Sequence, residues 1–214
     1  IFVSKNVLVR WIDEKDTTYL FTDTLTGNPL AYFSFPENHL KNDSTLGICG
    51  FLKYNKADSS IFLEKNPMIW NDDFQVSAQR MVQKKSGKKQ WIECFDSCYV
   101  LQWVDCCHTN QIKSDSLVLT FSTDQSKEML ANGRVSTIYY DVTGKKIERE
   151  TEVQAEKLTA IWEAGKIKFL SYQQHPKIKL QRPEKNGKKL DGMNPRREKY
   201  FEELFFWTKI NCIY

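Results

Sequence analysis

Trp91-Ile92-Glu93-Cys94-Phe95-Asp96-Ser97-Cys98-Tyr99-Val100-Leu101-Gln102-Trp103-Val104-Asp105-Cys106-Cys107-His108 holds four of the six cysteines in the chain. Residues 99–104 have strand composition. Tyr99, Leu101 and Trp103 fall on one face of such a strand, and Cys98, Val100 and Val104 on the other. A strand apolar on both faces is central in its sheet and covered on both sides. This run therefore marks the core of a sheet protein.

The crowded thiols admit three readings. A structural zinc needs four ligands ~2.0–2.3 Å from one point. At ~3.3 Å per residue a straight strand holds Cys98 and Cys106 ~26 Å apart, so one ion cannot use both. Cys106 and Cys107, as strand neighbours, would face opposite sides. No metal site and no cofactor are expected on these grounds. A disulfide is easier to build: Cys94 and Cys98 face each other across Phe95-Asp96-Ser97, and Cys106 and Cys107 are candidates to pair with Cys49 or Cys212. The third reading has them as buried thiols acting as small hydrophobes.

Outward from this run the pattern is one of short apolar segments broken by turn residues. Strands are expected over 6–12, 17–22, 30–35, 45–54, 60–64, 75–83, 90–95, 116–123 and 135–142. Asp13-Glu14-Lys15-Asp16, Thr26-Gly27-Asn28-Pro29, Lys84-Lys85-Ser86-Gly87-Lys88-Lys89 and Thr143-Gly144-Lys145-Lys146 are the turns between them. Residues 147–163 fit a helix or a strand. The hairpin signal before them favours a strand, followed by a turn at 163–166 and another strand over 167–172. Asp72-Asp73 is read as a turn or helix cap after 67–70. The expected fold is mainly β, an antiparallel meander forming a barrel or sandwich, closed by a short C-terminal α-helix. In this reading 1–172 is the β domain and 173–195 a basic irregular arm. Residues 196–214 are a helix and tail, started by Asn194-Pro195, with Tyr200, Phe201, Leu204 and Phe205 at helical spacing.

With 214 residues, 41% hydrophobic and 27% charged, the chain can bury a core without staples. No apolar run reaches the ~18–20 residues of a membrane-spanning helix. The chain begins Ile1-Phe2-Val3, as expected of a processed or trimmed chain. Asn42-Asp43-Ser44 makes Asn42 a candidate glycosylation site. Secreted and intracellular settings fit the cysteine usage equally well.

Catalytic signatures are missing. No Gly-x-Ser-x-Gly, P-loop, Gly-x-Gly-x-x-Gly or His-Glu-x-x-His occurs. His39, His108 and His175 stand in no nucleophile–base pattern, so no catalytic residue is named and the reading leans against an enzyme.

Charge is concentrated instead. The net charge is +4, yet residues 166–199 alone carry eleven Lys or Arg against three acidic residues. The expected binding residues for an anionic partner are Lys84, Lys85, Lys88 and Lys89 on one turn, and Lys177, Lys179, Arg182, Lys185, Lys188, Lys189, Arg196 and Arg197 in the arm and helix. The first function expected is a non-enzymatic interaction module docking through these cations onto nucleic acid, an acidic protein or a glycan. The same lysines also serve to keep sheet edges from aggregating. The alternative is a lipocalin-like β-barrel holding a small hydrophobic ligand, possible in a secreted setting, by analogy of architecture alone since no Gly-x-Trp opens the chain. An enzyme without a recognisable motif is the third class.

Overall fold

The computed structural model describes residues 2–13, 16–41, 45–71, 74–87, 89–122, 126–144, 146–163, 166–184 and 187–193. Fifteen strand segments appear among them, all paired antiparallel. In chain order they are β1 (Phe2–Asp13), β2 (Asp16–Gly27), β3 (Ala31–Lys41), β4 (Thr45–Cys49), β5 (Phe51–Asn55), β6 (Ser60–Glu64), β7 (Met68–Asn71) and β8 (Phe74–Ser77). The rest are β9 (Arg80–Ser86), β10 (Lys89–Trp103), β11 (Thr109–Phe121), β12 (Lys127–Thr143), β13 (Lys146–Glu163), β14 (Lys166–Gln173) and β15 (Lys177–Gln181).

Three pairs of short segments are single strands interrupted at mid-length: β4 with β5, β6 with β7, and β8 with β9. Counted so, β1 to β13 form a ten-strand meander in which each strand pairs with the next. They make a closed antiparallel β-barrel. The expected hairpins are present. Ser86 pairs with Lys89 around Gly87 (φ 57°), and Thr143 with Lys146 beside Gly144 (φ 64°). These left-handed positions suit glycine because it has no Cβ. Residues 146–163 are strand throughout, as the hairpin signal implied. Two further segments extend the sheet. Residues 68–71 are β7, paired with β8 through Asn71 and Phe74 so that Asp72-Asp73 lies between paired strands as the turn alternative has it, and 177–181, read as irregular from their lysines, are β15 on the edge of β13. No helix occurs among the described residues, and the C-terminal helix expected over 196–214 lies outside them.

The strands bend along one transverse line. Pairs of consecutive left-handed residues interrupt alternate strands at Lys65-Asn66, Asp96-Ser97, Gly133-Arg134 and Gln174-His175. The registers shift at the same level, between Phe95 and Cys98, Lys113 and Ser116, and Asn132 and Val135. Backbone bonds stitch the line together: Gly50 N–H to Lys65 O (3.3 Å), Ala78 N–H to Pro67 O (3.3 Å), and Gln79 N–H to Asp96 O (3.1 Å). Left-handed non-glycine residues cost ~1–2 kcal/mol each, so aligned bends persist only where packing over-determines them. Strands that bend in this way pass from one packed layer to another.

The two halves of the sheet meet across the core. The Phe74 ring stands edge-on to Trp162 with centroids 5.4 Å apart. Thr137 Oγ1 and Tyr172 OH share a hydrogen bond of 2.9 Å. Leu63, Met81, Cys94, Leu117, Met129 and Leu158, each at most 1% exposed, fill the interior with Trp162.

Candidate functional site

A cavity lies at the mouth of the barrel. It has a volume of about 210 Å³, and its lining comes from eight segments, β2 to β4, β6, β7 and β9 to β11. Leu40, Ile61, Leu63, Ile69, Ile92 and Phe121 give an apolar floor. Thr18, Lys41, Thr45, Asn71, Gln83 and Gln90 supply polar groups near the hairpin ends. Lys127 Nζ donates to Asn71 Oδ1 at 3.2 Å and lies over the Phe74 ring, which fixes the amide at the rim. Gly47 sits in the wall, where a Cβ would make only ordinary contacts with Leu40 and Ile69. None of these residues stood out in the sequence. Inward-facing amides at strand ends are recognised only once the register is known. A wider depression of about 270 Å³, along Asn38, His39, Cys49, Gly50 and Lys65, lies open at the bend.

The second feature is the arm. After β15 the chain crosses the outer face of the barrel. Gln111, 1% exposed, anchors it: its Nε2 donates to Lys188 O (2.5 Å) and its Oε1 accepts from Leu190 N–H (2.8 Å). Tyr140 OH accepts from Lys188 N–H (2.9 Å), and Lys113 Nζ donates to Asp191 O (2.9 Å). Gly187 (φ 63°) lies against the Cys107 carbonyl, and Gly192 (φ 79°) against the Tyr99 hydroxyl, where no Cβ fits. Glu150 is fully buried beneath this layer and accepts from Gln181 Nε2 at 2.5 Å, while its Oε2 has no hydrogen-bond partner. Burial, together with the nearby Glu150 charge, pushes the Tyr140 phenol up to about 12, against the Lys188 N–H bond that lowers it.

His108 ties the arm to the loop between β10 and β11. Its Nδ1 lies 2.9 Å from both Asp105 oxygens, and its Nε2 lies 2.9 Å from Glu184 O. Burial alone would lower its pKa, but bonds to Glu184 O and Asp105 outweigh that and hold it above the usual range. Opposed by the same kind of desolvation, the N–H groups of Cys107 and His108 and the His108 ring hold Asp105 below its usual range.

The predicted cations are dispersed. Lys84 Nζ bonds both Glu93 oxygens (3.0 and 2.9 Å). Lys85 and Lys89 are exposed on the same hairpin. Lys177 is exposed on β15, and Lys179 Nζ lies 3.9 Å from Glu152. Lys188 Nζ contacts the same carboxylate at 2.5 Å. Arg182 and Lys189 are exposed. Lys88, Lys185, Arg196, Arg197 and Asn42 lie outside the described residues.

The five described cysteines are thiols rather than half-cystines. Cys94 and Cys98 are both 0% exposed inside the barrel, and Cys98 donates to Asp115 O (3.5 Å). Cys106 and Cys107 are exposed, and here the strand reading needs correction. β10 ends at Trp103, and 104–108 form a tight loop closed by Val104 and Asp105 N–H groups donating to His108 O. In that loop the two Sγ atoms are 3.3 Å apart rather than on opposite faces.

No helix of the described residues is long and apolar enough to cross a membrane. No family model matches the chain, and no curated protein matches it.

Proposed function

We propose that this protein is a small-ligand-binding β-barrel that takes an amphiphile of about single-ring size at its mouth. The observation that carries this is the 210 Å³ cavity with an apolar floor and a rim of amides and hydroxyls. At ~30 Å³ per water it has room for about seven waters, below the ~300 Å³ at which pockets for drug-sized ligands begin. The floor would take the apolar body, and Asn71, Gln83 and Gln90 would orient one polar group. Saturation-transfer NMR with phenol, indole and octanoate tests the reading. Signal is expected from at least one probe, and Gly47→Leu, which fills the cavity from the wall, is expected to remove it. Binding that survives Gly47→Leu would overturn the assignment.

Docking onto an anionic macromolecule is a second reading, supported by the exposed Lys85, Lys89, Lys177, Arg182 and Lys189. It ranks below the first because Lys84, Lys179 and Lys188 already face Glu93 and Glu152. Salt-dependent retention on heparin or RNA, weakened by Lys177→Glu with Arg182→Glu, would favour it.

A further inference from the structure

We propose that Asp105, Cys106 and Cys107 form a surface site for a thiophilic divalent metal ion of the zinc class. One carboxylate oxygen and two thiol sulfurs lie within 4.8 Å of one another on the loop between β10 and β11, all exposed to solvent. The two sulfurs, 3.3 Å apart, are side by side before any ion arrives.

Distances choose the ion class. Two sulfurs bound at ~2.3 Å in a tetrahedral site stand ~3.8 Å apart. The pair needs to open by about half an ångström, within reach of a small side-chain rotation. A linear two-coordinate site would need ~4.6 Å at the same bond length, a far larger spread for adjacent residues. Thiolates disfavour magnesium and calcium, which take oxygen ligands. Three protein ligands leave a fourth position for water.

The loop is braced for this geometry. The Asp105 Oδ1 atom accepts from the N–H groups of Cys107 and His108, each at 2.7 Å. His108 holds the same carboxylate through Nδ1 and is fixed on its far side by Glu184 O. Carboxylates have about four acceptor positions, and three N–H donors occupy Asp105, so one position on Oδ2 is left for an ion. A histidine holding a ligating carboxylate is the kind of outer-shell contact that tunes metal affinity. The arm presses Gly187 against the Cys107 carbonyl from the other side. On binding, each thiol releases its proton to solvent as its sulfur bonds the ion.

The test is titration of the reduced full chain with Zn²⁺ against a chromophoric chelator, and with Cd²⁺ by ultraviolet thiolate-to-metal charge transfer. Cys212→Ser serves as the background control. One equivalent is expected to bind. Cys106→Ser with Cys107→Ser is expected to weaken it more than 100-fold, and Asp105→Asn about 10-fold. Cys98→Ser, at a buried thiol, is expected to leave it unchanged. Should the double serine variant not fold, the Asp105→Asn shift decides. Absence of binding at tenfold excess of Zn²⁺, or full retention in the double variant, would overturn the site. Metal binding here is independent of the barrel mouth, so Gly47→Leu is expected not to affect it.

Discussion

Across the bend in the sheet, the Arg134 guanidinium clamps Asp115: Nη2 donates to Oδ1 at 2.6 Å, and Nε donates to Oδ1 and Oδ2 at 2.9 and 3.1 Å. Both residues sit where the β11–β12 register shifts. The Arg134 hydrogen bonds hold the Asp115 carboxyl below its usual range, against a smaller desolvation effect. A carboxylate whose folded pKa is lowered contributes stability that is full above the unfolded value of about 3.9 and fades as pH falls through the folded value. Denaturation midpoints measured from pH 7 to pH 2 are expected to drop less steeply below about pH 4 in Asp115→Asn than in the native chain. Equal slopes would remove Asp115 from the acid response.

Gly133, the other half of that bend, has φ 75°, and a Cβ there would run into the Asp115 side chain. Gly144 has a similar φ of 64° but open space around it. Gly144→Ala carries the backbone cost alone, about 1–2 kcal/mol. Gly133→Ala adds a clash and disturbs the clamp, so a larger loss is expected. Urea unfolding of the two variants side by side checks this.

Trp162 joins the two halves of the sheet against Phe74, and its Nε1 is buried without a hydrogen-bond partner. Trp162→Ala is expected to cost about 3–5 kcal/mol through the cavity it leaves. Trp162→Phe keeps most of the packing and removes the orphaned donor, whose burial costs about 1–3 kcal/mol. A much smaller loss is expected, visible as nearly overlapping denaturation curves.

The arm is held by side chains on the barrel wall, so His108→Ala, which abandons Glu184 O, is expected to loosen it. Limited trypsin digestion should then cut faster after Lys189. Gly187→Ala is expected to act in the same direction, because its Cβ would push on the Cys107 carbonyl. Unchanged cleavage rates in both would show that the contacts of Gln111, Tyr140, Lys113 and Glu152 hold the arm without His108.

Thiol reactivity should divide the cysteines. Burial pushes Cys49 and Cys98 up to about 12, and raises Cys94 well above its usual value. At pH 8 a thiol with that pKa has a thiolate fraction of about 10⁻⁴. Brief iodoacetamide treatment of the metal-free native chain, followed by peptide mass mapping, is expected to label Cys106 and Cys107 and to spare Cys49, Cys94 and Cys98 until urea is added.

Strand identity in this protein is a local property. Alternation in Leu117, Leu119 and Phe121 and hairpin chemistry at Gly87 and Gly144 are readable within a few residues, because side-chain period and left-handed φ need no distant partner. The two-faced apolar pattern of 98–101 likewise announced a covered central strand. Tertiary structure decided the rest. Asp96-Ser97 and Lys65-Asn66 are ordinary polar dipeptides, and only the aligned neighbouring strands make them bends. Lys188 read as a cation offered to a partner, yet Gln111, Tyr140 and Glu152, distant in the chain, bind its backbone and side chain to the barrel. Cys106 and Cys107 looked opposed because strand neighbours face apart, and they lie side by side because β10 stops at Trp103. The physical reason is range: turns and alternation are set by steric limits within a residue or two, whereas bends, the mouth cavity and the docked arm depend on which distant surfaces the closing barrel brings together.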